Sequence, residues 1–234
     1  MFELNNEFDI TVVSGIGLEN RNALIIDGFY QNPDEVRQYA IDSKKYSKQD
    51  DPELISGIPG QRVCVFDKRI RQNLKPFFDG IRNHKDLWKS QRNIAPGSWE
   101  TSWDRQAFVC NIMRAKDRAL GGGIPHIDSF NTQFSVIIYL NTLEECQGGT
   151  RIYANEGVVN PTKDDNNMVN ELADQRWKRD HSTLDCPNSG WKTEVSFEMK
   201  WNRCIIYESD NLHGIWHEPD MFINHDRIAQ VLFL

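Results

Sequence analysis

The chain has no run of about 18 apolar residues, which excludes an ordinary membrane-spanning helix. It lacks a basic opening followed by an apolar stretch: MFELNNEFDI does not read as a secretory leader, and a cytoplasmic location is expected. No block of lysine and arginine stands out, and the formal net charge is −7. Binders of nucleic acid carry a clustered basic face, so DNA or RNA is a poor partner for this chain. A small anion is not excluded in the same way, because one buried arginine holds one carboxylate whatever the global charge. Cysteine is sparse: Cys64, Cys110, Cys146, Cys186 and Cys204 are scattered with no C-x-x-C pair. That odd, unpaired set argues against a zinc ribbon and a disulfide framework. Cys64, Cys110 and Cys204 lie inside apolar runs and read as small core residues. Internal repeats and low-complexity linkers are absent as well.

What remains is 234 residues, 39% of them hydrophobic and 11% aromatic, enough for one domain with its own core. Residues 1–105 read as a helical lead-in. Ala23 to Ile26 is a short apolar run closed by the turn Asp27-Gly28. Asn32-Pro33-Asp34-Glu35 then reads as a helix start, with Asn32 as cap, Pro33 at the first helical position and Glu35 at the capping-box position. Val36, Tyr39 and Ala40 give this helix a buried stripe ending near Ser43. A second helix is expected over Lys68 to Arg82, with Ile70, Leu74, Phe77, Phe78 and Ile81 at helical spacing and a break or kink at Pro76.

From residue 106 the texture changes. QAFVCNIM (106–113), FSVIIYL (134–140), 149–153, 195–199, RCIIY (203–207) and 228–234 are strand-like runs separated by turns. Strands without long intervening helices suggest a sandwich or barrel, here supported by N-terminal helices. Residues 154–194 are polar and break the rhythm. They read as an insertion, either a lid or a solvated loop.

His126-Ile127-Asp128 places an imidazole and a carboxylate two residues apart, and on an extended strand both point to one face. His213 follows a strand and the turn residues Ser209-Asp210-Asn211. Two histidines and one aspartate leave open coordination positions, the facial arrangement of non-heme Fe(II) oxygenases. The tripeptide alone is weak evidence. A second copy, His84-Lys85-Asp86, follows a helix, has no strand around it and reads as a solvated helix end. His217 is the competing position for the distal ligand; His213 is preferred because it comes first after the strand. His181 and His225 carry no such pattern.

The ordered set IPHIDSF, VIIYLNTLEECQGGTRIY, CIIYESDNLHG and RIAQVLFL resembles the iron(II)/2-oxoglutarate-dependent dioxygenase superfamily, in particular its prolyl-hydroxylase-like branch, over roughly residues 106–234. The resemblance implies a mainly β (α+β) fold, a double-stranded β-helix (jelly-roll, cupin-like) core in a single oxygenase domain. It implies Fe(II) held by His126, Asp128 and His213, with 2-oxoglutarate and O2 as cosubstrates. It also implies that Arg227 pairs with the distal carboxylate of 2-oxoglutarate and that Tyr139 hydrogen-bonds the same group. The plain alternatives are an exposed strand-end arginine beside Asp226 and a packed core tyrosine. The stretch between His213 and Arg227 is longer than this resemblance would have it, and Asn111 and Arg114 are other polar groups for the role. Hydroxylation of a peptide, protein or amino acid is the implied reaction, and the carboxylate Asp128 argues against halogenation. Trp99, Trp103, Trp177, Trp191 and Trp216 are either entrance-lining or packed residues. A cupin-like metalloenzyme that does not use 2-oxoglutarate, and a binding module that lost catalysis, are the rival readings.

Overall fold

Four strands, not helices alone, occupy the N-terminal third. In the structure, a computed structural model, residues 1–17, 19–47, 60–84, 86–89, 99, 103, 107–113, 126–128, 132–154, 192–216, 218 and 220–234 are described. The lead-in contains strands β1 (Asp9–Ile16), β2 (Arg21–Asp27), β3 (Lys45–Ser47) and β4 (Gln61–Phe66) beside helices α1 (Pro33–Asp42) and α2 (Lys68–Arg82). The lead-in over 1–105 thus holds more strand than the apolar run Ala23 to Ile26 and the two helices suggest, and the reason is local. β2 is covered on both faces, so it shows a continuous buried run and not alternation, while β1 is an edge strand with Ile10 and Val12 exposed.

The two helices fall where their periodicity puts them. Pro33 opens α1, with Asp34 and Glu35 in the first turn, but Asn32 takes φ −125 and ψ 71 and makes no side-chain cap. The Asn32 cap is therefore replaced by the favourable placement of acids at the positive end of the helix. α2 runs through Pro76 without interruption, capped by the Asp67 carboxylate, which accepts from the Arg69 N–H. Its buried side, Ile70, Leu74 and Phe78, supplies enough packing to carry the helix past one missing N–H.

The later strands are β5 (Ala107–Met113), β6 (Phe134–Tyr139), β7 (Gly149–Tyr153), β8 (Thr193–Glu198), β9 (Cys204–Glu208), β10 (His213–Trp216) and β11 (Arg227–Phe233). They and β1–β4 form an eight-stranded sheet ordered β1-β2-β9-β6-β11-β5-β4-β3 and a three-stranded sheet ordered β10-β7-β8. Every pairing is antiparallel. The large sheet therefore has two distinct faces. Its outer face, with Leu24, Val63, Cys110, Val136, Ile138 and Ile206, packs against the helices. Its inner face, with Ala23, Tyr139, Ile205, Tyr207 and Ala229, packs against Ile152 and Phe197 of the small sheet.

The protein is mostly β, as expected. Of the proposed insertion, 155–191 lie outside the described residues. No helix among the described residues is long and apolar enough to cross a membrane.

Candidate metal centre

His126 and His213 face one another across a two-stranded join. The His126 N–H donates to the His213 carbonyl at 2.8 Å, and the His213 N–H donates back to the His126 carbonyl at 2.9 Å. The short segment 126–128 thus lies against β10 as an extra strand, and the Asp128 N–H fixes its far end by donating to the Ser209 carbonyl at 3.1 Å. In this setting residue 128 returns to the face of residue 126. One ligand atom from each of His126, Asp128 and His213 lies within 4.8 Å of the others. The two imidazole rings are 4.4 Å apart, with His126 Nε2 at 3.6 Å from Asp128 Oδ1 and His213 Nε2 at 3.4 Å from Asp128 Oδ2.

The surroundings prepare these groups as ligands. The His213 ring nitrogen Nδ1 is 2.9 Å from the Asn211 carbonyl, which fixes it as the donor and leaves the Nε2 lone pair facing Asp128. Burial pushes the His213 imidazole down to about 4, although Asp128 opposes this, so the ring is neutral near pH 7. Burial by itself would raise the Asp128 carboxyl; His213, His126 and the Ser135 hydroxyl outweigh it and hold the group at about 2. Ser135 donates to Asp128 Oδ2. Asp128 and His213 are 8% and 4% exposed, whereas the His126 side chain is 47% exposed and marks the open side of the cluster. A neutral His213 imidazole, an ionised carboxylate and one open side suit a divalent ion with vacant positions.

The corner leading into His213 is braced from β2. Arg21, buried to 1% exposure, pairs with Asp210, with Glu208 at 3.7 Å and with Glu19 at 3.1 Å. The Ser209 N–H donates to the Gln133 carbonyl and the Asn211 N–H to the Glu208 carbonyl, both at 3.0 Å.

Arg227 and Tyr139 lie farther along the same inner face. Arg227, expected in the plain alternative to be an exposed strand end, is 2% exposed. Its guanidinium lies 5.6 Å from the centre of the Tyr139 ring, whose hydroxyl acts on it as a hydrogen-bond partner, and among the described residues its Nε has none. Burial depresses the guanidinium pKa, with no aspartate or glutamate among the causes that oppose this. Tyr139 is fully buried and its hydroxyl meets Thr150 Oγ1 at 2.8 Å.

Sequence reasoning missed Tyr207. Its ring stands 4.9 Å from His213, and among the described residues its buried hydroxyl has no hydrogen-bond partner. Burial raises its pKa well above the ordinary tyrosine value, and both the Asp128 carboxylate and the Arg227 guanidinium act on it. The signal was present: β6 alternates Ser135, Ile137, Tyr139 inward, and Tyr207 is the register partner of Ser135. Asn111 is on the inner face, where it accepts from Arg62 Nε at 3.2 Å.

The remaining candidates separate cleanly. His84 and Asp86 are exposed, and among the described residues they join no metal-competent group. His225 Nε2 is engaged by the Glu145 carbonyl at 2.8 Å. Trp99 and Trp103 are buried in the outer core, and Trp216 carries the Arg151 guanidinium at 4.6 Å. Arg114, Trp177, His181, Cys186, Trp191 and His217 lie outside the described residues.

No curated protein matches the chain. An N-substituted L-amino acid dioxygenase from Burkholderia ambifaria AMMD is similar in structure at TM-score 0.46 and 9% identity, over 97% of this chain and 95% of that one. The structure of such a dioxygenase from the same organism in complex with alpha-KG gives TM-score 0.43 and 10% identity over the same shares. With residues 7–226 matched by its family model, the chain belongs to the family of unknown function DUF6445.

Proposed function

We propose that the chain is a non-heme Fe(II)- and 2-oxoglutarate-dependent dioxygenase that hydroxylates a peptide, protein or amino acid. The observation that carries this reading is the combination of a His126–Asp128–His213 donor set with a buried arginine in the same interior on which no aspartate or glutamate acts. A lone buried cation is costly, and a bidentate carboxylate offsets the cost. The strand order supports a double-stranded β-helix: β9-β6-β11-β5 in one layer, and the 126–128 segment with β10-β7-β8 in the other.

On this reading His126, Asp128 and His213 hold the iron, and Ser135 and the Asn211 carbonyl orient Asp128 and His213. Arg227, lying over the Tyr139 ring, would receive the distal carboxylate of 2-oxoglutarate, and the buried Tyr207 hydroxyl would be a further donor to the same molecule. Iron with 2-oxoglutarate and O2 supplies oxidative decarboxylation to succinate and CO2 coupled to hydroxylation of the substrate. The apolar neighbours Ile205, Ala229 and Ile152 exclude water from the interior end.

Anaerobic addition of Fe(II) and then 2-oxoglutarate to the full chain should produce a 2-oxoglutarate-dependent absorption band, and in air the chain should release succinate. Asp128→Ala should abolish succinate release. A band that never forms would favour a cupin-like enzyme that does not use 2-oxoglutarate, and turnover retained in Asp128→Ala would remove the triad.

A further inference from the structure

A second arginine shares the inner face, and the proposed reaction gives it no task. Arg62 on β4 pairs in register with Asn111 on β5, Asn111 with Ala229 on β11, and Ala229 with Tyr139 on β6. Side chains in directly opposed positions share a face. Ala229 and Tyr139 belong to the inner core, so Arg62 projects on the side of the metal centre. It is half-buried, and the charge of Asp128 reaches it.

Its position is built. Gly60, at φ +80, lies so close to β5 that a Cβ there would sit 2.3 Å from the Ile112 carbonyl oxygen. That tight approach fixes the start of β4, two residues before Arg62. The Nε–H donates to Asn111 Oδ1 at 3.2 Å, which orients the guanidinium plane. Asn111 is neutral, and among the described residues the guanidinium has no ion pair and no other hydrogen bond, the Asp128 charge acting on it without contact. Burial lowers the Arg62 pKa, the mark of a cation deprived of water.

Arg227 and Arg62 therefore divide the interior. Arg227 is closed off and fits a cosubstrate that enters first. Arg62 stands on the more open side and presents the end of its fork. An end-on fork with two free nitrogens matches the two oxygens of a planar carboxylate. We propose that Arg62, oriented by Asn111, is the specificity-determining anchor for a carboxylate on the primary substrate, which narrows that substrate to a free amino acid or the C-terminal residue of a peptide. This rests on the oxygenase reading, which it deepens.

Saturation-transfer NMR of 4-methylpentanoate, 4-methylpentanamide and 3-methylbutyl phosphate with the full chain tests it, with and without Zn(II) and 2-oxoglutarate. With 2-oxoglutarate occupying Arg227, the carboxylate should still bind and the amide should not. Arg62→Gln should weaken carboxylate binding by about tenfold or more, the loss expected for a charge-assisted pair. Arg62→Lys, which keeps the charge and loses the fork, should fall between, and it decides the matter if Arg62→Gln does not fold. The proposal is overturned by no carboxylate binding in the unmodified chain, by equal binding of the amide, by preference for the phosphate ester, or by undiminished binding to Arg62→Gln. It is also overturned if Arg62→Gln loses 2-oxoglutarate as an Arg227 variant does. Failure of Zn(II) and 2-oxoglutarate to bind, read by calorimetry, would count against the oxygenase reading alone, since carboxylate binding is scored separately.

Discussion

The two faces of the eight-stranded sheet are built on opposite terms. The outer face is closed by rings: Phe29, Phe77, Phe78 and Trp103 meet one another at 5.3–6.3 Å, and Trp99 stands at 6.2 Å from Phe134. The inner face carries Arg227, Tyr207 and Ser135 among its apolar residues and meets Asp128 and His213 from the opposite layer, all buried. Nε of Arg227 and the hydroxyl of Tyr207 have no hydrogen-bond partner among the described residues. Groups of this kind cost free energy in a closed interior, and natural cores satisfy nearly all of theirs. One face is complementary to the chain's own helices. The other carries the buried charges Arg227 and, facing it, Asp128, which on the proposed reading meet a carboxylate and a metal ion; unsatisfied buried nitrogens by themselves occur on both faces, Trp103 Nε1 and Gln230 Nε2 on the outer one.

This contrast is tested most severely by truncating each face in turn. Phe78→Ala opens a cavity under α2 and should cost about 3–5 kcal/mol, seen as a lowered urea midpoint with an unchanged slope. Its succinate release per folded molecule should stay close to that of the unmodified chain, because the site lies across the sheet. Arg227→Leu should behave in the opposite way. Affinity for 2-oxoglutarate, read from the anaerobic Fe(II) band, should fall by about a hundredfold or more, on the order of two charge-assisted hydrogen bonds. The ligand-free chain should be as stable as before or more so, since a buried cation with no carboxylate acting on it is exchanged for an apolar group of similar volume. A large loss of stability in Arg227→Leu would mean that the arginine is structural and that the two faces do not differ as described.

How far the sequence reveals this contrast depends on how local each signal is. α2 is legible because Ile70, Leu74 and Phe78 repeat within one segment. The His126–Asp128 pair is legible for the same reason, being an i, i+2 relation along one strand. β10 is not, since HGIW is four residues that become a strand only by pairing with β7 and with His126. β2 escapes because burial on both faces erases its alternation, and β1 because its partner on one side is solvent. Arg62 is hidden most thoroughly. Its meaning depends on Asn111, 49 positions away, and on a register running across four strands. Chemistry carried by neighbours in the chain is readable; chemistry carried by neighbours in the sheet requires the pairing.

Tyr207 gives the smallest test and the finest one. Its hydroxyl is buried and feels the charges of Asp128 and Arg227, and its ring packs on His213 at 4.9 Å. Tyr207→Phe keeps that ring and removes one oxygen. If the hydroxyl donates to 2-oxoglutarate, its loss should raise the KM for 2-oxoglutarate about three- to tenfold, the worth of one hydrogen bond near 1 kcal/mol, with kcat little changed. Because the ligand-free chain leaves this oxygen unpaired, the variant should melt at the same temperature or slightly higher. The opposite pattern, an unchanged KM with a lower melting temperature, would make Tyr207 a packing residue with its own structural bond. The inner face would then have a single ligand-directed group at its closed end, Arg227, and the division between the two faces would rest on that arginine alone.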